Sequence, residues 1–243
     1  MSSLTLLGTG TCQIEFERRA SSVLLELNNT YILFDCGHGV VQRLLEVGVQ
    51  HNQVHHIVLS HFHADHVSDL IPFLQAGAWS PQNPRTQDLH IYGPAGVKRM
   101  VDGLIALFGE RALKQPSYAI HVHEIAAGAY TIGSFPVEAA SLPPSGNHGL
   151  RFSWRGKRYA ITGDSYFHDE EVAFLSDVDV AIIDSGHIKD SEIVQLAARS
   201  QAKTLICSHL YRALDVEQLQ TQAVAQGYVG NISIGHDFMS FVL

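Results

Sequence analysis

The segment Ser60-His61-Phe62-His63-Ala64-Asp65-His66 follows directly on the apolar run Ile57 to Leu59 and leads straight into a helical pattern. A chain that turns at the end of a strand points His61 and His63, two residues apart, to the same side. The tight entry into a helix then brings Asp65 and His66 round toward the same cavity. Imidazole nitrogen and carboxylate oxygen are ligands that zinc accepts at about 2.0–2.2 Å. Three histidines and one aspartate in so short a span are enough to begin a site for two ions.

Outward from this segment the pattern is of short aliphatic and β-branched runs separated by turn residues. Strands are predicted at Leu4 to Leu7, Val23 to Leu27, Tyr31 to Phe34, His56 to Leu59 and His90 to Tyr92. Helical spacing falls between some of them, at Val40 to Val47, Val67 to Gln75 and Val97 to Phe108. From Ala119 to Tyr159 the runs AIHVHEI, YTI, FPVEAA, LRFSW and KRYAI are divided by glycine-containing turns, which predicts an antiparallel sheet. Alternation returns with strand Val180 to Ile183, helix Ser191 to Ala198, strand Thr204 to Ile206, helix Val216 to Gln226, and strands near Ile232 and at Phe238 to Val242. The order is α/β, then β, then α/β. With no internal repeat and no linker, residues 1–243 are expected to form a single domain with two sheets.

Composition narrows the function. Apolar residues make up 46% of the 243 and charged residues 16%, so a sizeable core is available and disorder is excluded. A formal net charge of −8 is the wrong sign for non-specific nucleic-acid binding, which rests on many Lys and Arg contacts to phosphate. Any phosphate must be gripped locally. Three scattered cysteines, Cys12, Cys36 and Cys207, form neither a disulfide framework nor a CxxC knot, which fits a reducing, cytoplasmic setting. No signal-peptide pattern or membrane-length apolar run is present, so no membrane partner is expected. Histidine is abundant, 15 copies against 16 Lys and Arg, and it is the side chain that titrates near neutrality and commonly binds metal.

Two ions need more ligands than the first segment supplies. Isolated candidates stand at the ends of later strands: His148 before LRFSW, Asp164 after YAI in Thr162-Gly163-Asp164-Ser165, and His209 after TLI in Cys207-Ser208-His209. Each alone reads more readily as a solvated or capping group than as a ligand. Together with His61, His63, Asp65 and His66 they make a set.

In the order and strand-end placement of these motifs the chain resembles the metallo-β-lactamase superfamily, in particular its phosphodiesterase branch of ribonuclease Z and cyclic phosphodiesterases. Leu7-Gly8-Thr9-Gly10-Thr11 and Phe34-Asp35-Cys36-Gly37 resemble that branch's first two motifs. The resemblance implies an α/β fold, a four-layer αββα sandwich with two mixed sheets packed face to face. It implies two Zn2+ ions, one on His61, His63 and His148, the other on Asp65, His66 and His209, with Asp164 bridging. Manganese or iron is compatible, although His63 favours zinc over the carboxylate variant of di-iron relatives. A bridging Asp164 argues against β-lactamase activity.

The same branch places an accessory histidine 22 positions before its last ligand, and His187 stands in that place relative to His209, with Asp184 as its acidic partner. Asp65, His187 and Asp184 are the expected catalytic residues. The alternative reading makes Asp184 a strand end and His187 a neighbour of the next helix start. The implied function is a metal-dependent hydrolase, a dinuclear zinc phosphodiesterase acting on a small, cyclic phosphodiester through a metal-bridging hydroxide, with His187 protonating the departing alkoxide.

Ribonuclease Z carries an arm between the ligands that match His148 and Asp164. Here 16 positions separate them, room for one strand, turn and strand, so RNA 3′ processing comes second and nucleic acid is not the favoured partner. A thioester or lactone hydrolase, and a non-enzymatic protein whose metals staple the fold, remain alternatives. A homodimer is expected by analogy alone.

Other positions carry weaker expectations. Asp35 is read as orienting a metal-binding histidine through its second ring nitrogen. His38 and His236 are read as lining the pocket. His121 and His123 alternate on one strand with no acidic partner in view, which favours a structural role, and the cysteines are read as small core or pocket-lining groups.

Overall fold

The computed structural model describes residues 2–243. The chain divides into two compact units, one running to Ile125 and taking in Asp237–Leu243, the other Ala126–His236.

In the first unit seven strands form one mixed sheet. The strands are β1 (Ser3–Gly8), β2 (Ser22–Leu27), β3 (Thr30–Phe34), β4 (Val54–Val58), β5 (Leu89–Gly93), β6 (Ile120–Glu124) and, from the end of the chain, β14 (Ser240–Val242), in the order β14-β1-β2-β3-β4-β5-β6. From β14 to β3 the neighbours are antiparallel, and from β3 to β6 they are parallel. Each parallel step needs a crossover. Helix α1 (Val40–Glu46) supplies the first, α2 (Ala64–Val67) and α3 (Leu70–Trp79) the second, α4 (Val97–Phe108) and α5 (Glu110–Leu113) the third. Helix α4 shows why these segments dock. Val97, Val101 and Ile105, spaced four apart, are its buried stripe, and they join Leu33, Ile57, Leu59, Phe73 and Ile91 in one apolar cluster.

In the second unit the order is β13-β12-β11-β10-β9-β8-β7, from strands β7 (Gly128–Ile132), β8 (Phe135–Leu142), β9 (Asn147–Trp154), β10 (Lys157–Ile161), β11 (Val180–Asp184), β12 (Thr204–Ser208) and β13 (Asn231–Ile234). Strands β7 to β10 form an antiparallel meander; β10 to β13 are parallel. Helices α6 (Asp169–Leu175), α7 (Asp190–Ser200) and α8 (Val216–Ala225) connect the parallel strands. Leu175, Ile183, Ile193, Leu196, Leu205 and Leu219 share its core. β9 and β10 are joined by Arg155 and Gly156, both at positive φ, so a two-residue turn is all that separates them. Among the described residues no helix is long and apolar enough to cross a membrane.

The α/β class with two mixed sheets is the one expected. Four details differ from the sequence reading. β6 is not part of the antiparallel meander but pairs in parallel with β5, because two helices separate it from β5 and return it in the same direction. The helical pattern at Val67 to Gln75 is two helices, α2 and α3. β9 begins at Asn147 rather than Leu150, so His148 lies inside a strand, opposite Ser141. Helices α5 and α6 lie outside the helical patterns read from the sequence.

Candidate metal and proton-transfer residues

Both units place their polar residues at the carboxyl ends of parallel strands, the end at which open α/β sheets carry their sites. In the first unit β4 ends at Val58, Leu59 donates its N–H to the carbonyl of Tyr92 on the neighbouring strand, and the chain turns through Ser60 to His63 into α2. His61, Asp65 and His66 are buried, His66 to 1% exposure, and His63 is exposed. The ring of His61 lies 4.4 Å from that of His63 and 4.2 Å from that of His66.

Beneath this turn sits Asp35, itself 2% exposed, following β3 in a left-handed conformation at φ 61°. Its Oδ1 accepts the backbone N–H of Ser60 at 2.7 Å, and its Oδ2 accepts from the Ser60 hydroxyl at 2.8 Å and from His66 Nδ1 at 2.8 Å. Having donated its one hydroxyl proton to Asp35, Ser60 can only accept from His61 Nδ1, 3.0 Å away. One carboxylate thereby fixes the tautomer of two imidazoles, leaving the lone pair of each on Nε2, the arrangement a metal-binding histidine requires. Asp35 thus holds the Nδ1 of His66 directly and that of His61 through Ser60. Ser60 was not anticipated, because a serine before a histidine is too common a pair to signal anything.

Backbone contacts lock the two loops together. Cys36 donates to the carbonyl of His66 at 2.8 Å, Asp69 to that of Cys36 at 2.9 Å, and Asp69 Oδ2 accepts from Val41 at 2.9 Å. Gly37 is required by close approach, since a Cβ there would lie 1.7 Å from the Asp65 carbonyl oxygen.

In the second unit Asp164 follows β10, Asp184 closes β11, His187 lies three residues on, and His209 follows β12 at φ 54°. These four come together, each offering a ligand atom within 4.8 Å of the others. Asp184 is the hub. Its Oδ2 accepts from His187 Nδ1 at 2.7 Å, its Oδ1 accepts from the backbone of Gly186 at 2.8 Å and of His187 at 3.2 Å, and Oδ1 lies 3.4 Å from His209 Nδ1. Asp164 faces the same rings, with Oδ1 3.4 Å from His209 Nε2 and Oδ2 3.8 Å from His187 Nδ1. The imidazoles of His187 and His209 stack at 5.1 Å, and Tyr166 and Tyr211 flank His187 at 5.8 and 5.7 Å.

The hydrogen bond to Asp184, aided by the charges of Asp184 and Asp164 and opposed by burial and by His209, raises the His187 pKa above its ordinary value. Protonated and anchored at Nδ1, that ring can deliver a proton from Nε2.

His148, on β9, is buried, and burial lowers its pKa, keeping the ring neutral. Its Nδ1 is buried with no hydrogen-bond partner. Asn147 beside it donates from Nδ2 to the carbonyl of Thr162, which ties the start of β9 to the turn that carries Asp164. Of the remaining expectations, Cys36 and Cys207 are core residues and Cys12 is exposed; His236 is exposed after β13, and His38 is partly buried. His121 does have an acidic partner, contrary to the sequence reading, in Asp88 at 2.8 Å. Asp88 lies on another strand's approach, where spacing along one strand cannot reveal it.

Sequence motifs and fold point the same way. The sequence profile of the metallo-β-lactamase superfamily matches residues 16–209. Ribonuclease Z of Streptococcus uberis is 36% identical over 124 residues, which take in 50% of this chain and 38% of the relative; that of Streptococcus pneumoniae is 38% identical over the same length and shares. The match thus spans well under half of these relatives. Among solved structures, the metallo-β-lactamase fold protein YhfI from Bacillus subtilis superposes with a TM-score of 0.81 at 20% identity, covering 99% of this chain and 98% of that one. A diphosphatase of the PhnP family superposes at 0.76 and 19% identity, covering 100% and 98%. These likenesses establish the fold, and with the profile match they establish that the chain belongs to the metallo-β-lactamase superfamily.

Proposed function

We propose that this chain is a metal-dependent hydrolase, a dinuclear zinc phosphodiesterase for a small, cyclic phosphodiester. The observation that carries the reading is the Asp184–His187 pair, joined at 2.7 Å with the pKa of His187 raised, beside Asp164 and His209. That is a proton donor held next to metal-type ligands. The donor set fits zinc: imidazoles anchored at Nδ1, carboxylates, and a buried His148 nitrogen with no hydrogen-bond partner. His61, His63 and His148 would hold one ion, Asp65, His66 and His209 the other, and Asp164 both. The superfamily profile runs through residues of both units, which supports treating 1–243 as one hydrolase.

Bound zinc would supply Lewis acidity and activate water near neutral pH. The chain's own part is positioning and proton transfer. Asp35 and Ser60 hold His61 and His66 in one tautomer, so no reorganisation is needed during turnover. Asp184 anchors His187 at Nδ1, and His187 protonates the departing alkoxide from Nε2, a leaving group too basic to depart unaided. Tyr166 and Tyr211 limit how far that ring can swing.

The two-residue turn between β9 and β10, and the net charge of −8, support a small substrate. RNA 3′ processing is the second reading, supported by the 36–38% identity to ribonuclease Z over half of the chain.

The test is a metal count with assays of wild type, Asp164→Ala and His187→Ala on a bis-nitrophenyl phosphodiester, carboxylic and thiol esters, a cyclic phosphodiester and a precursor tRNA. Asp164→Ala is expected to lose metal. His187→Ala is expected to keep it and turn over roughly 10²–10³-fold more slowly on phosphodiesters. Unchanged turnover in His187→Ala removes that residue from the chemistry, and turnover of esters alone overturns the phosphodiesterase reading. Cleavage of precursor tRNA without the cyclic diester selects the second reading.

A further inference from the structure

Away from these residues, the first unit gathers four more histidines on one face of its sheet. Parallel register sets His56, His90 and His121 side by side across β4, β5 and β6, and sets Tyr92 opposite His123. Their strand neighbours Ile57, Leu89 and Ile91 enter the helix-covered core, so the imidazoles belong to the opposite face. The rings are stacked: His56 to His90 at 5.3 Å, His90 to His121 at 4.8 Å, His90 to His123 at 5.3 Å, and Tyr92 to His123 at 4.6 Å. Asp88 holds His121 at 2.8 Å from its Nε2.

The diagonal pair is the distinctive one. His90 Nδ1 and His123 Nε2 are hydrogen-bonded at 3.1 Å, one ring donating and the other accepting, so an ion taking this place would displace the one proton between them. Two nitrogens each about 2.0–2.1 Å from one ion stand that far apart when the angle at the ion is about 100°, between square and tetrahedral values. His56 Nδ1, in the same ring stack, is buried without a hydrogen-bond partner. We propose that His90 and His123 form a second, independent site for a divalent first-row transition ion that prefers imidazole, such as Cu2+, Ni2+ or Zn2+, with solvent completing the shell and Asp88 supplying nearby negative charge.

Buried or partly buried imidazoles that crowd one another hold each other neutral: burial, reinforced by its neighbours, takes His56 down to about 4, and burial with the other histidines lowers His90 and His123. Neutral rings keep their lone pairs at physiological pH, which is the state a transition ion selects. Copper heads the affinity order for nitrogen ligands among divalent first-row ions, so it is the probe of choice.

The experiment starts from purified protein whose metal content has been counted, titrated with Cu2+ and read by electron paramagnetic resonance and by recounting the original metal. The site predicts one added equivalent of copper with nitrogen hyperfine splitting and no loss of the original metal. His90→Gln and His123→Gln are expected to weaken that equivalent at least tenfold. Circular dichroism and the original metal count, both unchanged, show that these variants fold. Copper that only displaces the original metal, or that binds both variants as it binds wild type, overturns the proposal. This readout is separate from turnover, so it stands or falls independently of the hydrolase reading.

Discussion

The two units assemble their polar clusters by opposite means. In the first, His61, His63, Asp65 and His66 sit in one turn, and a single carboxylate, Asp35, fixes two of the rings from below. In the second, Asp164, Asp184, His187 and His209 are contributed by the ends of three strands and meet because β10, β11 and β12 run parallel in one register, with Ala160 opposite Ala181 and Asp184 opposite Ser208. The first cluster is a local motif; the second is a product of topology. Damage should therefore spread differently in the two.

The largest effects should come from the glycines that let the loops close. A Cβ at Gly37 would lie 1.7 Å from the Asp65 carbonyl oxygen, and one at Gly186 would lie 2.3 Å from that of His209. Backbone oxygens cannot swing aside as side-chain tips can. Gly37→Ala is expected to cost about 3 kcal/mol or more, at the top of the overpacking range, and Gly186→Ala somewhat less, both read from urea midpoints at constant slope. A midpoint for Gly37→Ala close to wild type breaks the idea that the motif loop is the tighter of the two.

Next come the two organising carboxylates. Asp35→Asn turns one acceptor into a donor facing Ser60 or His66, in a buried place, and roughly 2–3 kcal/mol should be lost. Asp184→Asn should cost less, about 1.5 kcal/mol, with a distinct pH signature. The Asp184 hydrogen bond raises the pKa of His187 above its unfolded value, so its contribution is full below about 6.5 and is lost as pH rises through the folded value. The cost of Asp184→Asn should accordingly shrink with rising pH. A cost that grows instead means His187 is not protonated in the folded chain.

This contrast explains what could be read in advance. The His61 to His66 turn is legible because four ligand-type side chains stand in six residues behind an apolar run. The parallel strands on either side are legible because their aliphatic runs are bounded by turns and separated by helical spacing, as with α4, whose bounds Val97–Phe108 coincide with its pattern. Strand-end positions single out Asp164, Asp184 and His209, but each needs the others to mean anything. What stays hidden is pairing at a distance. Asp88 meets His121, Ser60 links Asp35 to His61, and β6 joins β5 in parallel, through contacts that spacing along the chain does not encode.

Glu171 belongs with these hidden features and gives the comparison its finest test. It lies in the first turn of α6, fully buried, and burial together with the charge of Asp184 pushes its pKa up to about 8, the nearby Ser165 hydroxyl offsetting only part of the rise. A raised carboxyl pKa reverses the usual acid-stability sign. The folded state keeps its proton where the unfolded chain has already lost it, so the group opposes folding progressively from about pH 4.5 up to about 8. Glu171→Gln removes that ionisation with little change of shape. Relative to wild type, the variant should gain stability progressively with pH across that window and level off above it, measured by urea unfolding at several pH values. A difference that stays flat with pH means that Glu171 is ionised in the folded chain. The second unit would then hold its carboxylates by compensating charge rather than by keeping one of them neutral.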